Sequence, residues 1–368
     1  MSDNLPSHDG PAATDASSLD EDVHNAFGYR LRITVFVLVI SVVPLAVILY
    51  TARESLKPFT ENNPLLTLFI STFLSIIFEA LPFILLGALL SGTIEMFISR
   101  QRMLRMIPQG RLSQLAAGAA IGVFLPVCEC GVIVVLRRLL KKGMPLRMAL
   151  AYLLAAPIVN PVVIVSTFAA FRGKTEWLFM PLGRVGFGVA LAMTVAAWVG
   201  REKFAHLLKT VPDGADMADP HAGLSVRQRL SAAADHALSE FLEVMKFLIA
   251  GAAVAAILQT FVSRGLVEVV SDSPILSVLG MMGLAMVLNL CSEADAFVAV
   301  GFVGFGSVAK LAFLVMGPML DVKLLAMYGA VFRRGLIWRL ALAIIVVVFV
   351  TMGLLSLAEF AWLREVPQ

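Results

Sequence analysis

The sequence has little charge and no phosphate-binding loop. Only 15% of its 368 residues are charged, whereas 59% are hydrophobic, and the mean hydropathy is +0.88. This composition excludes a soluble enzyme with a single anchor and predicts a chain that crosses a lipid bilayer several times. We expect no nucleic-acid partner, no direct use of ATP and no bound cofactor.

Cysteine is almost absent from the chain. There are three cysteines, Cys128, Cys130 and Cys291, and all lie inside apolar runs. This placement excludes the disulfide framework of a small secreted protein. We therefore expect buried thiols that either pack as small apolar side chains or bind a substrate.

The first 64 residues precede the main apolar part of the chain. Residues 1–29 are polar and acidic without a periodic apolar pattern, which predicts a disordered cytoplasmic tail. The apolar run 33–50 has no small-residue cleavage site, so we interpret residues 30–64 as an extra transmembrane helix and its loop. Arg30 and Arg32 precede that helix and favour a cytoplasmic N-terminus.

Hydropathy alone predicts nine membrane crossings, because a crossing needs about 20 apolar residues. The apolar stretches are 33–50, 65–98, 115–136, 148–171, 177–199, 237–262, 276–305, 311–332 and 340–357. Basic residues flank the stretch 115–136 on both sides, so both of its ends are predicted to face the cytoplasm. We therefore predict a re-entrant hairpin there, with nine full transmembrane helices as the alternative.

The two halves of the chain resemble each other. Three pairs of anchors recur in the same order at offsets of 161–164 residues: Glu79 with Glu243, Cys128 with Cys291, and Asn160 with Asp321. With an odd number of crossings in each half such a repeat is inverted, a plan that transporters use. The predicted fold is all-α and polytopic, with inverted repeats at 65–200 and 237–368. Each repeat has three crossings and one re-entrant hairpin, and a cytoplasmic linker, 201–236, joins them.

Two polar segments interrupt the apolar stretches at corresponding places. The first polar segment is 124–131 (Phe-Leu-Pro-Val-Cys-Glu-Cys-Gly) and the second is 289–295 (Asn-Leu-Cys-Ser-Glu-Ala-Asp). A turn at the tip of a hairpin would let Cys128 and Cys130 face one cavity, which Cys291 can join from the second tip. Thiol ligands suit soft ions and metalloids, such as trivalent arsenic, Cu(I) or Hg(II).

Several polar residues inside the apolar stretches are candidates for function by default. We assign proton coupling to Glu129 and Glu293, because a carboxylate in a low-dielectric environment can hold a proton near neutral pH. Asn160 and Asp321 lie in corresponding proline-interrupted segments, and we predict that they contribute to a substrate site at the midplane. The structural alternative for the two glutamates is to pair with a cation or a helix terminus. For the segments of Asn160 and Asp321 it is a kinked packing helix, with Asp321 paired to Lys323.

These motifs resemble those of a known family. Residues 126–131 (Pro-Val-Cys-Glu-Cys-Gly), followed by 156–161 (Ala-Pro-Ile-Val-Asn-Pro), are similar to the bacterial YraQ-like predicted permeases, which include the ArsP organoarsenical efflux permeases. The likeness covers roughly residues 65–357. It implies a multi-pass protein of the bacterial inner membrane that exports trivalent organoarsenicals such as methylarsenite, with Cys128 and Cys130 as the motif cysteines.

The sequence thus predicts a permease, not an enzyme, that exports a soft, thiol-reactive solute by proton-linked alternating access. Its expected partners are a small-molecule or metalloid substrate and the lipid bilayer. An intramembrane redox or copper-handling protein that uses the Cys-Glu-Cys pair is the alternative, with a soft ion at Cys128 and Cys130. A homo-oligomer, or a subunit that requires a second protein, is left open.

Overall fold

The computed structural model describes residues 64–97, 100–125, 127–201, 208, 226–261, 273–302 and 304–365. This part of the chain is almost entirely α-helical. The helices are α1 (Pro64–Phe97), α2 (Arg100–Met106), α3 (Arg111–Phe124), α4 (Glu129–Lys141), α5 (Leu146–Val159), α6 (Pro161–Ala170), α7 (Phe179–Val199), α8 (Val226–Phe261), α9 (Pro274–Leu288), α10 (Asp295–Val300), α11 (Ser307–Met319), α12 (Val322–Tyr328) and α13 (Arg334–Glu365). The predicted acidic tail and extra N-terminal helix lie outside the described residues.

The helices of both predicted repeats pack into one compact unit, which comprises Asn63–Ala222 and Ala232–Gln368. A second unit comprises Met1–Asn62 and Gly223–Ser231, and of it the structure describes only residues 226–231. All features below belong to the first unit. The domain boundaries given above remain predictions.

Six segments of the described chain are long and apolar enough to cross a membrane. They are Leu65–Ile94, Leu146–Ala170, Phe179–Val199, Leu238–Thr260, Ser307–Tyr328 and Arg334–Ala361. Two of these segments are composite, because α5 continues into α6 and α11 continues into α12 after a break. The fold is therefore all-α and polytopic, as predicted, and neither 115–136 nor 276–305 forms a continuous helix.

The stretch 115–136 is a hairpin of two helices, α3 and α4. Helix α3 runs in the same direction as α5, because Gly118 lies against Met148 and Gly122 against Ala156. A Cβ atom added to either glycine would lie 2.4 Å from the backbone of its neighbour. Helix α4 begins close to the end of α3, and a short turn joins its end to the start of α5. Because α4 returns to the end from which α3 started, the predicted re-entrant hairpin is present.

The stretch 276–305 is broken at the corresponding place. Helix α9 is followed by Asn289 in the left-handed conformation, with φ of 50°, and α10 has only 6 residues. The carbonyl of Pro274, at the start of α9, accepts a hydrogen bond from Ser356 at 3.2 Å. The first turn of α11 donates to Glu359 at 3.4 Å, about one turn further along α13. Helices α9 and α11 thus begin at the same end of α13, so the chain between them also returns to its starting side.

The two composite segments break three residues after the prolines noted in the sequence. Pro157 lies inside α5 and Pro318 inside α11. The side chain of Asn160 caps α6 by accepting a backbone amide hydrogen bond at 3.0 Å, and Asp321 caps α12 in the same way at 2.5 Å. Each new helix therefore begins with a side-chain cap that satisfies one of its free amide groups.

The two repeats run in opposite directions. The end at which α4 terminates is called the basic end, because many basic residues gather there: Arg102, Arg105, Arg111, Arg137, Arg138, Lys141, Lys142 and Arg147. Helix α1 runs toward this end, since Lys142 donates to a carbonyl near its C-terminus at 2.9 Å. Helix α8 runs away from the basic end. Its Glu240 forms an ion pair of 2.9 Å with Arg138 at that end, and Gly251, further along α8, packs on Lys323. The predicted inversion is therefore present in the helices that the structure describes.

Candidate substrate site

The two polar segments meet each other directly. The hydroxyl of Ser292 donates a hydrogen bond to Glu129 Oε2 at 2.9 Å, and these residues are 163 positions apart. Cys128 and Cys291 have the same offset. Equivalent residues of two inverted halves touch only near the pseudo-twofold axis, so this contact marks the centre of the repeat.

Lys323 connects the two polar segments with the break between α11 and α12. Its ammonium lies 3.3 Å from Glu129 Oε1 and 3.7 Å from Asp321 Oδ2. Its backbone amide donates to Asn289 Oδ1 at 2.9 Å. Glu129, Asp321 and Lys323 are each at most 3% exposed, so these charges face one another in an interior that solvent does not reach.

The three thiols lie around this charged centre. Cys128, Cys130 and Cys291 are buried free cysteines, and all three line one narrow pocket together with Glu129 and Lys323. Cys128 and Cys130 are separated by one residue at the start of α4. Because Cys128 precedes α4 in an extended conformation, the turn allows both thiols to face the pocket.

The second polar segment adds a mixed set of sulfur and oxygen atoms. The thiol of Cys291 donates a hydrogen bond to Glu293 Oε2 at 2.5 Å. One ligand atom each from Glu129, Cys291 and Glu293 lies within 4.8 Å of the other two. Such a set has the composition of a site for a borderline or soft metal ion.

Arg184 on α7 holds the second polar segment from the other half of the chain, and the sequence analysis did not identify it. Its guanidinium binds both oxygens of Asp295, at 2.8 and 2.7 Å, and donates to the carbonyl of Ser292 at 3.1 Å. It also donates to Thr167 at 2.9 Å and is 1% exposed. An arginine in the middle of the apolar stretch 177–199 was the signal that could have revealed it.

A second group of ion pairs joins the halves at the basic end. Arg138 pairs with Glu240 at 2.9 Å, and Ser91 donates to the same carboxylate at 2.6 Å. Arg137 pairs with Glu243, which is 41% exposed. Glu243 was matched by sequence to Glu79, which instead lines the central pocket.

The predicted site residues therefore divide into two groups. The structure brings together Cys128, Glu129, Cys130 and Cys291 at the pocket, and the hydrogen bond from Cys291 links Glu293 to them. Asp321 reaches this group through Lys323. The oxygen of Asn160 caps α6, so the described contacts of Asn160 place it at the helix break.

Two inverted halves with a buried polar centre between broken helices have the architecture of a secondary transporter. The comparisons with known proteins agree with that class. Residues 65–357 match the model of the family ArsP_1, described as predicted permease, and the chain belongs to this family.

Two relatives cover most of the chain. It is 41% identical over 280 residues to UPF0718 protein YcgR of Bacillus subtilis (strain 168), across 76% of this chain and 93% of the relative. It is 35% identical over 270 residues to the "Putative two-component membrane permease complex subunit" of Streptococcus mutans serotype c (strain ATCC 700610 / UA159), across 73% and 88%. No solved structure matches the chain.

Proposed function

We propose that this permease exports a soft, thiol-reactive solute, with a trivalent organoarsenical as the leading candidate, by alternating access. The observation that carries the proposal is the convergence of Cys128, Cys130 and Cys291 on one pocket between the two halves. Three thiols from two separate polar segments suit a solute that prefers sulfur ligands. The family supports transport in general, and the thiols suggest the class of solute.

The solute would be bound by exchange between sulfurs. Each arsenic–sulfur bond that forms breaks one S–H and one As–OH bond and releases one water molecule, so the step needs no oxidant or reductant. Cys128 and Cys130 would take the solute first, and Cys291 of the other half would accept it as the halves move. Asp321 Oδ2, which accepts no hydrogen bond from the part of the chain that the structure describes, and the amide of Asn160 would provide polar contacts.

Proton coupling at Glu129 and Glu293 completes the proposal. Glu129, Glu293 and Asp321 share the centre with a single ammonium group, that of Lys323, among the described residues. Burying unpaired negative charge is costly, so protonation of one carboxylate would accompany part of the cycle. The titratable and charged groups around Glu129 are its pocket neighbours Glu79, Cys128, Cys130, Cys291 and Lys323, together with Glu293 and Asp321. Asp295 lies beyond Ser292, where Arg184 binds it.

The thiol site is tested by methylarsenite uptake into everted vesicles. We expect the Cys128→Ser/Cys130→Ser variant to lose most of the flux and Cys291→Ser to lose part of it. Ser166→Ala is the matched control, because this hydroxyl bonds to a carbonyl of its own helix. Full flux in the double serine variant would show that the thiols do not carry the solute.

Proton coupling is tested in the same vesicles. An uncoupler should abolish methylarsenite uptake, and Glu129→Gln should remove its dependence on pH. Glu359→Gln is the control, since Glu359 lies near the start of α11 and away from the centre. If uptake resists the uncoupler and Glu129→Gln keeps the pH dependence, transport is not coupled to protons through this residue.

A second subunit is the alternative that a specific observation favours. The Streptococcus mutans relative is named as a subunit of a two-component permease complex, so this chain could also require a partner protein. A redox or copper-handling role for Cys128 and Cys130 would fit such a complex. The purified chain in liposomes distinguishes a stand-alone permease from a copper-handling protein. Methylarsenite flux by the chain alone supports the stand-alone permease, and bound Cu(I) without flux supports the redox or copper-handling role.

A further inference from the structure

Lys323 lies against a set of atoms that would otherwise suit a metal cation. One ligand atom each from Glu129, Cys291 and Glu293 lies within 4.8 Å of the others. In a tetrahedral zinc site, ligand bonds of about 2.0–2.3 Å place the ligand atoms about 3.3–3.8 Å apart. Side-chain movements of about 1 Å would therefore convert this set into three ligands of a divalent ion.

In the present arrangement every member of the set is already engaged. Lys323 holds Glu129 Oε1 at 3.3 Å, and Ser292 holds Oε2 at 2.9 Å. The thiol hydrogen of Cys291 is donated to Glu293 at 2.5 Å. A metal cation would have to displace an ammonium group that carries the same sign of charge.

The position of Lys323 is fixed from two sides. Asn289 accepts from its backbone amide at 2.9 Å, and Asp321 holds its ammonium at 3.7 Å. Arg184, the other buried cation close to the second polar segment, is committed to both oxygens of Asp295. Among the described residues, Lys323 is thus the cation that forms an ion pair with Glu129.

We propose that Lys323 determines the charge specificity of the pocket, acting as a tethered cation that closes the Glu129, Cys291 and Glu293 set to free divalent metal ions. The pocket then accepts uncharged thiol-reactive solutes, because these form bonds to sulfur without bringing a positive charge next to the ammonium. This inference rests on the proposed function for the nature of the solute. The closure to metal ions can be measured without transport.

Binding of a divalent ion to this set of ligands would involve no change of oxidation state. When a divalent ion binds, the S–H bond of Cys291 breaks, a sulfur–metal bond forms, and one proton passes to water. Glu129 and Glu293 contribute oxygen ligands. Removing the charge of Lys323 should therefore be sufficient to open the site to metal ions.

The test is a titration of purified protein in detergent with Co²⁺, whose thiolate complexes show a sulfur-to-metal charge-transfer band. Wild type and Lys323→Arg should show no such band, because both keep a positive charge. Lys323→Met should show it and should bind Co²⁺ at least about tenfold more tightly than wild type. The band should vanish in Lys323→Met/Cys291→Ser and persist in Lys323→Met/Cys128→Ser/Cys130→Ser.

A second variant guards against misfolding of Lys323→Met, which leaves Glu129 and Asp321 without their cation. Lys323→Met/Asp321→Asn removes both members of one ion pair, so the net charge of the centre is unchanged, and Asn can still cap α12. This variant should also bind Co²⁺ with the thiolate band.

Three results would overturn the proposal. They are a band in wild type with the affinity of the methionine variants, no band in either methionine variant, and a band that survives Cys291→Ser. The last result would place the bound metal at Cys128 and Cys130, because these are the other two cysteines of the chain. Failure of the proposed function is a separate result, since it appears as methylarsenite flux that does not depend on Cys128 and Cys130.

Discussion

At the scale of single residues, the interior is organised by buried charges that have specific partners. A charge in a low-dielectric environment is tolerated when an opposite charge and hydrogen bonds replace water. Arg184 meets this condition through Asp295, Thr167 and the carbonyl of Ser292. Because Ser292 in turn holds Glu129, Arg184 also positions the carboxylate at the centre.

Removal of Arg184 should therefore destabilise the protein strongly. We expect Arg184→Met to lower the free energy of unfolding by about 3–5 kcal/mol, because Asp295 would be left buried without its partner. Thermal or denaturant unfolding of the purified protein in detergent measures this loss. The double variant Arg184→Met/Asp295→Leu should recover much of it.

The matched control for this prediction is Glu243→Gln at the basic end. Glu243 pairs with Arg137 but is 41% exposed, so its loss should cost about 0–1 kcal/mol. Equal decreases in the free energy of unfolding for Arg184→Met and Glu243→Gln would show that burial does not make the Arg184–Asp295 pair more important for stability.

At the scale of elements, the broken helices are held by close backbone contacts. Gly87 of α1 faces Gly131, the residue that follows Cys130 in α4. A Cβ atom at Gly87 would lie 2.8 Å from the carbonyl oxygen of Gly131 and 2.9 Å from its Cα atom. Because backbone cannot move aside as a flexible side chain can, even a methyl group must separate α1 from α4 at the first polar segment.

We expect Gly87→Ala to destabilise the protein by about 1–3 kcal/mol, as overpacking of an interior does. Gly283→Ala in α9 is the control, because an added Cβ atom there meets nothing within 4 Å and alanine favours a helix. Thermal unfolding of both variants in detergent makes the comparison. If Gly87→Ala were as stable as Gly283→Ala, the two helices would not be in close contact.

The helix break at Asn160 allows its structural and proposed binding roles to be separated. Asn160→Ser keeps an oxygen that can cap α6, but it lacks the amide group. We expect unfolding close to that of wild type together with reduced methylarsenite flux. Asn160→Ala, which loses the cap as well, should in addition be less stable by about 1 kcal/mol. Wild-type flux in Asn160→Ser would show that Asn160 caps α6 and does not bind the solute.

At the scale of the whole molecule, the inverted halves place the basic residues of α2, α3 and α4 at one end of the described unit. The link between α6 and α7 lies at the other end, where Glu176 pairs with Lys310 of α11 at 3.4 Å. By the positive-inside rule, we propose that the basic end faces the cytoplasm of a bacterial inner membrane.

This orientation predicts which positions an impermeant thiol reagent can reach. Lys174→Cys in the α6–α7 link should be labelled in right-side-out vesicles, and Gln109→Cys near the start of α3 only in everted ones. Both positions are exposed, whereas the native cysteines are buried, so wild type serves as the background control. The opposite pattern of labelling would reverse the topology.

Composition and the order of motifs along the chain were sufficient to predict the class of protein, the interrupted helices and the inverted repeat. Length and apolar composition mark the segments that can enter a bilayer, and prolines, glycines and carboxylates inside apolar runs mark where helices break. Matching anchors such as Cys128 and Cys291 revealed the repeat, because equivalent positions keep their order along the chain. All of these features can be recognised from neighbouring residues or from the order of motifs along the chain, without knowledge of distances in space.

Which polar residues contact one another became evident only from the packing of the helices. Glu129 pairs with Lys323 across 194 positions, and Arg184 pairs with Asp295 across 111. The sequence showed that such residues exist in the apolar runs but gave no distance between them. Which buried charge pairs with which partner depends on how the two inverted halves pack. A buried charge without a partner costs free energy, and only the packing of the helices brings an opposite charge next to it.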